Sequence, residues 1–190
     1  MKIVLASSSP RRLKLLSEEG FQFEVKPPDI DESRLGKEPP ADYVCRVAAA
    51  KAQAVANSNN LVIAADTVVV LDNEFLNKPI SETDARVILR KLSGQTHTVY
   101  TGMSIICGSC KRAATSYDKT QVRFNVLTDE AILEYINTGE PMDKAGAYGI
   151  QGMGSFLVKA IDGELDTVIG FPMKLFKKMI EEHRECLNRI

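Results

Sequence analysis

The chain has no tryptophan, two histidines in 190 residues and four cysteines, Cys45, Cys107, Cys110 and Cys186. So few histidines and cysteines exclude the dense ligand spacing of a zinc module. Cys107-Gly108-Ser109-Cys110 is a CxxC, but no second pair accompanies it, and His97 and His183 have no metal-ligand spacing. A hairpin turn after the strand-like run 103–106 accounts for it. No apolar run approaches the ~18 residues of a membrane span. The apolar N-terminus, Met1 to Ala6, is too short for a signal peptide and runs directly into a strand. The expectation is a cytoplasmic protein with reduced thiols and no membrane partner. Net charge is only −1, so no field of one sign points to a nucleic acid polymer, and any anion site must be local. Neither GxxxxGK[ST] nor GxGxxG occurs, which removes the main support for a P-loop or dinucleotide-binding reading.

What is present fits one soluble domain, residues 1–190, without internal repeats or low-complexity linkers. Apolar residues make up 44% and charged residues 26%. Residues 3–6 read as a buried strand. Ser9 stands at a helix N-cap and Pro10 in the first turn, with Leu13, Leu15 and Leu16 carrying the helix to Gly20. Residues 27–40 read as a long irregular loop. A helix over 41–56 has an apolar face of Val44, Val47, Ala48 and Val55, with Lys51 in its centre. A strand over 61–65 breaks at Asp66 and resumes over 68–71, before a turn at Asp72-Asn73. Ser81 caps a helix with the stripe Ala85, Ile88, Leu89 and Leu92, ended by Gly94. Residues 96–107 and 111–126 read as long strands, and Thr128 caps a helix ending near Gly139. A Gly-rich segment leads to a short strand over 156–158. The last helix starts near Pro172, with the stripe Phe176, Met179, Ile180, His183 and Leu187. Strands and helices interleave irregularly around a long hairpin, the pattern of an α/β fold with a mixed sheet.

The chemistry starts at "ASSSPRR", residues 6–12. Arg11 and Arg12 fall in the first turn of a helix, where backbone N–H groups already present partial positive charge. Each cation there costs roughly 0.3–1 kcal/mol. A bound phosphate reverses that sign, and Ser7, Ser8 and Ser9 add donors to the same cradle. On this reading, removing the arginines leaves the stability of the empty protein unchanged or slightly raised. The alternative is that they point to solvent or pair with Asp29, Asp31 or Glu32. Lys51 either extends its stem to water or points into a polar cavity. Asp66, at the end of a central strand, stands where α/β sites form, or in a simple turn. Glu32 offers it a carboxylate partner, and Lys78 a further cation. Two carboxylates, several basic groups and no suitable His/Cys set suit a hard cation and a polyphosphate. His97 lies in a strand-like run and reads as a structural polar residue.

The segments "ASSSPRR", "ADTVV" (65–69), "NKP" (77–79), "LSGQTHTVYTG" (92–102), "DKAGAYGIQG" (143–152) and "VIGFP" (168–172) resemble, in order and over nearly the whole chain, the Maf family of nucleoside triphosphate pyrophosphatases first linked to septum formation. The resemblance implies an α/β fold of inosine triphosphatase-like type, with an extended, bent sheet, two lobes and a cleft, often in a homodimer. It implies hydrolysis of a nucleoside triphosphate substrate to the monophosphate and pyrophosphate with a divalent cation, Mg²⁺ or Mn²⁺. It places the proton acceptor on Asp66 and specificity positions on Arg11, Thr67 and Gln151. Its other polar site positions fall on Ser9, Arg12, Glu32, Lys51 and Lys78. The two carboxylates, Glu32 and Asp66, are the expected metal set. The family often has a second glycine where Ala147 stands, and Leu where Phe171 stands. "YGIQG" resembles the branch that takes dTTP and UTP; another branch prefers 7-methyl-GTP. The Gln151 amide can accept from a pyrimidine N3–H and donate to a ring carbonyl, or it can brace its loop. A nucleotide-binding division regulator without turnover is the alternative from a different class; such a binder needs no carboxylate at residue 66.

Overall fold

Successive residues of β1 (Lys2–Leu5) and β3 (Asn60–Leu71) divide between two cores, as in parallel strands covered on both faces. Ile3, Leu5, Leu61, Ile63 and Ala65 pack with Leu16, Met103, Phe171 and Phe176. Val4, Ala6, Val62 and Ala64 pack on the other side with Ala52. β1 and β3 pair in parallel, Val4 beside Val62 and Leu5 beside Ile63, and β2 (Glu24–Val25) adds in parallel to β1. These contacts come from a computed structural model that describes residues 2–183.

β4 (Glu74–Leu76) folds back on β3 as an antiparallel hairpin. Its two-residue turn is the expected Asp72-Asn73, and both residues take positive φ, 48° and 67°, as a turn of this hand requires. β5 (Thr96–Cys107), β6 (Arg112–Phe124) and β7 (Val158–Asp162) complete the sheet, with β7 antiparallel to β6. The hydrogen-bonded order is β2-β1-β3-β5-β6-β7, with β4 on β3. The fold is therefore α/β with an open, mixed sheet. Its helices are α1 (Pro10–Glu18), α2 (Pro40–Val55), α3 (Glu82–Leu92), α4 (Asp129–Asn137), α5 (Leu165–Ile169) and α6 (Met173–Glu182).

The chain divides into two compact units. Of the described residues, one unit comprises 2–66, 101–118 and 170–183; the other comprises 67–100 and 119–169. In the first, α1, α2 and α6 accompany the parallel strands, and Phe176 anchors a ring cluster with Phe21 and Phe171 at 5.4 and 5.2 Å. In the second, α3 and α4 contribute Ala85, Ile88, Leu89, Leu92, Ile132 and Ile136 to a core shared with Val99, Val122 and Phe124. The caps of both helices are as expected: Ser81 Oγ accepts from Asp84 N at 3.1 Å, and Thr128 Oγ1 from Ala131 N at 3.2 Å.

Several expectations are corrected. β3 does not break at Asp66 but runs unbroken to Leu71, because the carboxylate has a buried partner and the strand need not end to solvate it. The strand expected over 156–158 starts at Val158, and residues Gly152–Leu157 form a 3₁₀ turn. The short helix α5 carries too few residues to show a period. Ser9 has N-cap geometry, but its side chain makes no cap bond; Ser7 Oγ instead accepts from Ser9 N at 3.1 Å. The CxxC is a turn, residues 108–111, between β5 and β6. A Cβ on Gly108 would lie 1.7 Å from the Asn57 carbonyl oxygen, so only glycine fits there. Among the described residues, Cys45 and Cys110 are free thiols, and Cys107 Sγ lies 3.3 Å from Ser109 Oγ; Cys186 and Leu187 lie outside the described residues.

Candidate active site

Side-chain alternation in β3 decides where Asp66 points. Val62 and Ala64 lie on the face that packs against α2 through Ala52, and Asp66 is the next residue of that row. α2 presents Lys51 to it, beside Ala52 on the helix's buried side. Lys51 Nζ donates to Asp66 Oδ1 at 2.7 Å, and both residues are buried, 8% and 6% exposed. Of the two orientations open to Lys51, the polar interior is the one adopted.

Glu32 completes a triad: its Oε1 lies 3.0 Å from Lys51 Nζ, although its side chain is 48% exposed. It comes from the irregular stretch 26–39, which is held by side chains rather than by regular structure. Tyr43 Oη donates to the Glu32 carbonyl at 2.9 Å. Arg46 grips Glu38 with two bonds of 2.8 Å and donates to the Ser33 carbonyl at 3.0 Å. Arg46 holds the Glu38 carboxyl below its ordinary range. Burial, reinforced by the charges of Asp66 and Glu32, pushes the Tyr43 hydroxyl up to about 12, so it stays protonated and donates. Tyr43, Glu38 and Arg46 were not singled out from the sequence; the opposite charges of Glu38 and Arg46 on either side of Pro39-Pro40 were the available signal.

The segment from β1 to α1 brings Arg12 within electrostatic range of Asp66 and Glu32. Arg12 Nε donates to the Gly170 carbonyl at 2.8 Å, and its Nη1 to Ser7 Oγ at 3.4 Å. Burial lowers the Arg12 pKa, opposed by the charges of Asp66 and Glu32 and reinforced by that of Arg11. Arg12 thus has a structural anchorage that helix-end electrostatics alone did not suggest. Ser9 and Arg11, half-buried, occupy the same turn.

Three expected site residues belong to the second unit. Thr67 follows Asp66 in β3 and is half-buried, Lys78 is exposed before the buried Pro79, and Gln151 is exposed at the start of a 3₁₀ turn. His97 is buried in β5 of that unit, with Nε2 2.8 Å from Tyr148 Oη and its ring edge-on to Phe124. Its Nδ1 is buried with no hydrogen-bond partner among the described residues, and burial holds its pKa down to about 4. That is the environment of a neutral structural imidazole.

The donor set fits a hard divalent cation. Asp66 Oδ1 and Glu32 Oε1 converge on one cationic centre, the Lys51 ammonium. Two carboxylates suit Mg²⁺, which completes its shell with water and substrate phosphates. Among the described residues, no group of three or more His, Cys, Asp or Glu forms an all-protein cage.

Residues 2–183 match the Maf-like protein family. The chain is 50% identical over 183 residues to a dTTP/UTP pyrophosphatase of Shewanella denitrificans, covering 91% of each chain. It is 45% identical to the dTTP/UTP pyrophosphatase of Shewanella oneidensis, covering 96% of this chain and 98% of that one. It is 44% identical to that of Caldicellulosiruptor bescii, covering 95% and 94%.

Proposed function

The chain belongs to the Maf-like protein family, and from that premise we propose that it is a nucleoside triphosphate pyrophosphatase that hydrolyses dTTP and UTP. The observation that carries the reading is the buried Asp66 carboxylate, held at 2.7 Å by Lys51 and within the same triad as Glu32. Relatives 44–50% identical over nearly their full length, named dTTP/UTP pyrophosphatases, support the substrate class.

In the proposed reaction, water attacks the α-phosphorus. The new P–O bond forms as the α–β anhydride bond breaks, and pyrophosphate leaves. Asp66 takes the proton of the attacking water. Lys51 fixes the carboxylate so that one oxygen stays directed to that water. Arg11, Arg12 and Lys78 bind the triphosphate oxygens, over which negative charge spreads in the transition state; Ser9 adds a hydroxyl donor. When bound by Glu32 and Asp66, a divalent cation, Mg²⁺ or Mn²⁺, supplies neutralising charge to the same oxygens. Gln151 reads the pyrimidine edge, accepting from N3–H and donating to a ring carbonyl, while Arg11 and Thr67 complete the specificity set. The same proposal takes residues 1–190 as one catalytic domain, working in the cytoplasm as a homodimer.

Pyrophosphate release from UTP, dTTP, CTP and 7-methyl-GTP tests it. UTP and dTTP should be preferred, and Asp66→Asn should lower their turnover by roughly 10²–10⁴ while nucleotide binding persists. Preference for 7-methyl-GTP, or turnover by Asp66→Asn within a few-fold of the parent protein, overturns the assignment.

A further inference from the structure

The Gly-rich segment that carries Gln151 is fastened on both sides by two side chains outside its motif. Tyr135, buried on α4, accepts from Gly149 N at 2.9 Å and donates to Glu140 Oε1 at 3.1 Å. The second oxygen of Glu140 accepts from Met153 N at 3.0 Å. The two captured amides stand two residues before and two residues after Gln151. Gln151 is exposed and spends no side-chain bond on capping its own turn, so the clamp fixes its backbone and leaves its amide available.

The glycines make room for this clamp. A Cβ on Gly149 would lie 2.6 Å from Glu140 Oε1, and one on Gly154 would lie 2.7 Å from Tyr135 Oη and 2.3 Å from the Gly149 carbonyl oxygen. Lys144 ties the backbone of Glu140 back to the same segment, donating to its carbonyl at 2.6 Å. The chemistry of residue 140 is specific. A carboxylate can accept a phenol O–H at one oxygen and a backbone N–H at the other, whereas a carboxamide turns an N–H₂ toward one of these donors.

We propose that Tyr135 and Glu140 are positioning residues for base recognition: they set the backbone on either side of Gln151 and thereby the direction in which its amide meets the pyrimidine. This rests on the base-reading role of Gln151 given above. Neither residue touches substrate in this scheme; both act through Gln151.

The test is the ratio of kcat/KM for UTP to that for CTP, measured for the parent protein, Gln151→Ala, Tyr135→Phe, Glu140→Gln and the Gln151→Ala/Tyr135→Phe and Gln151→Ala/Glu140→Gln doubles. Tyr135→Phe and Glu140→Gln should each lower the ratio about tenfold, with kcat for CTP kept within about threefold. Amide exchange at Gly149 and Met153 should accelerate in both. Neither change should lower the ratio further once Gln151 is gone, because residues acting through one another are not additive. The inference is overturned if Gln151→Ala lowers the ratio while Tyr135→Phe and Glu140→Gln leave it at the parent value, or if the losses multiply in the doubles. A ratio unmoved by Gln151→Ala overturns the base-reading role itself, and the inference with it. Should Tyr135→Phe fail to fold, Glu140→Gln, at a partly exposed side chain, decides.

Discussion

Lys51 and Asp66 meet at 2.7 Å, one from the buried face of α2 and the other from the row of β3 residues packed beneath that helix. Removing one partner of a buried pair strands the other charge, at about 3–5 kcal/mol. The two removals differ here. Lys51→Met leaves Asp66 buried without its hydrogen-bonded cation and should cost about 3 kcal/mol. Asp66→Asn leaves Lys51 with Glu32 at 3.0 Å and should cost less. Urea unfolding of both variants checks the order, and an Asp66→Asn loss equal to or above that of Lys51→Met contradicts it.

Arg12→Ala should destabilise the empty protein. The guanidinium serves the buried Gly170 carbonyl at 2.8 Å, and an acceptor left unsatisfied there costs about 1–3 kcal/mol. That outweighs the ~0.3–1 kcal/mol gained by removing a cation from the first turn of α1. The expectation from sequence alone, of unchanged or raised stability, is reversed. Thermal melts without nucleotide measure the sign.

Gly102→Ala should disrupt the seat of α2. A Cβ at residue 102 would lie 2.3 Å from the Val44 carbonyl oxygen and 2.8 Å from Cys45 N. Those atoms are helix backbone and cannot rotate away, so α2 must shift, costing about 1–3 kcal/mol or more and moving Lys51 with it. Gly20→Ala is the comparison: its φ is +81°, but nothing lies within 4 Å of the added carbon. It should cost only the left-handed strain, about 1–2 kcal/mol, and leave turnover intact. Equal effects of the two changes on kcat would contradict the argument.

His97 should make stability depend on pH. Burial lowers its pKa from 6.5 to about 4 in the folded protein, so between those values the unfolded chain binds more protons. Stability is therefore greatest above about 6.5 and is lost as pH falls toward 4, with His97 contributing about 3 kcal/mol over that span. His97→Gln should remove that component while leaving the contributions of the carboxylates. Urea midpoints at pH 7 and pH 4.5 for both proteins test it; an unchanged difference between the two pH values would contradict the assignment.

Local rules sufficed wherever a residue's role depends on its near neighbours in the chain. Asp72-Asn73, Ser81, Thr128 and the apolar stripe of α3 were legible because turn φ angles, caps and helical periods are set within a few residues. The motifs that resemble the Maf family also marked Asp66, Arg12 and Gln151 by type. The departure at Ala147 has a visible correlate: it takes φ +56°, a conformation in which a glycine is unstrained. What the sequence could not decide was which groups close on one another across long separations. Lys51 had two orientations of comparable merit until β3 supplied Asp66 on the same face. The strand was expected to break at Asp66 because a carboxylate in an apolar run normally reaches water; the buried ammonium removed that need. Arg12 looked like a misplaced helix-end charge until Gly170, 158 residues away in sequence, accepted its hydrogen bond. Tyr135 and Glu140 carried no signal at all, since an aromatic on a helix stripe and a glutamate after a glycine are ordinary. Their meaning comes only from the backbone amides folded against them, a relationship that exists once the chain has paid the entropy of bringing distant segments together.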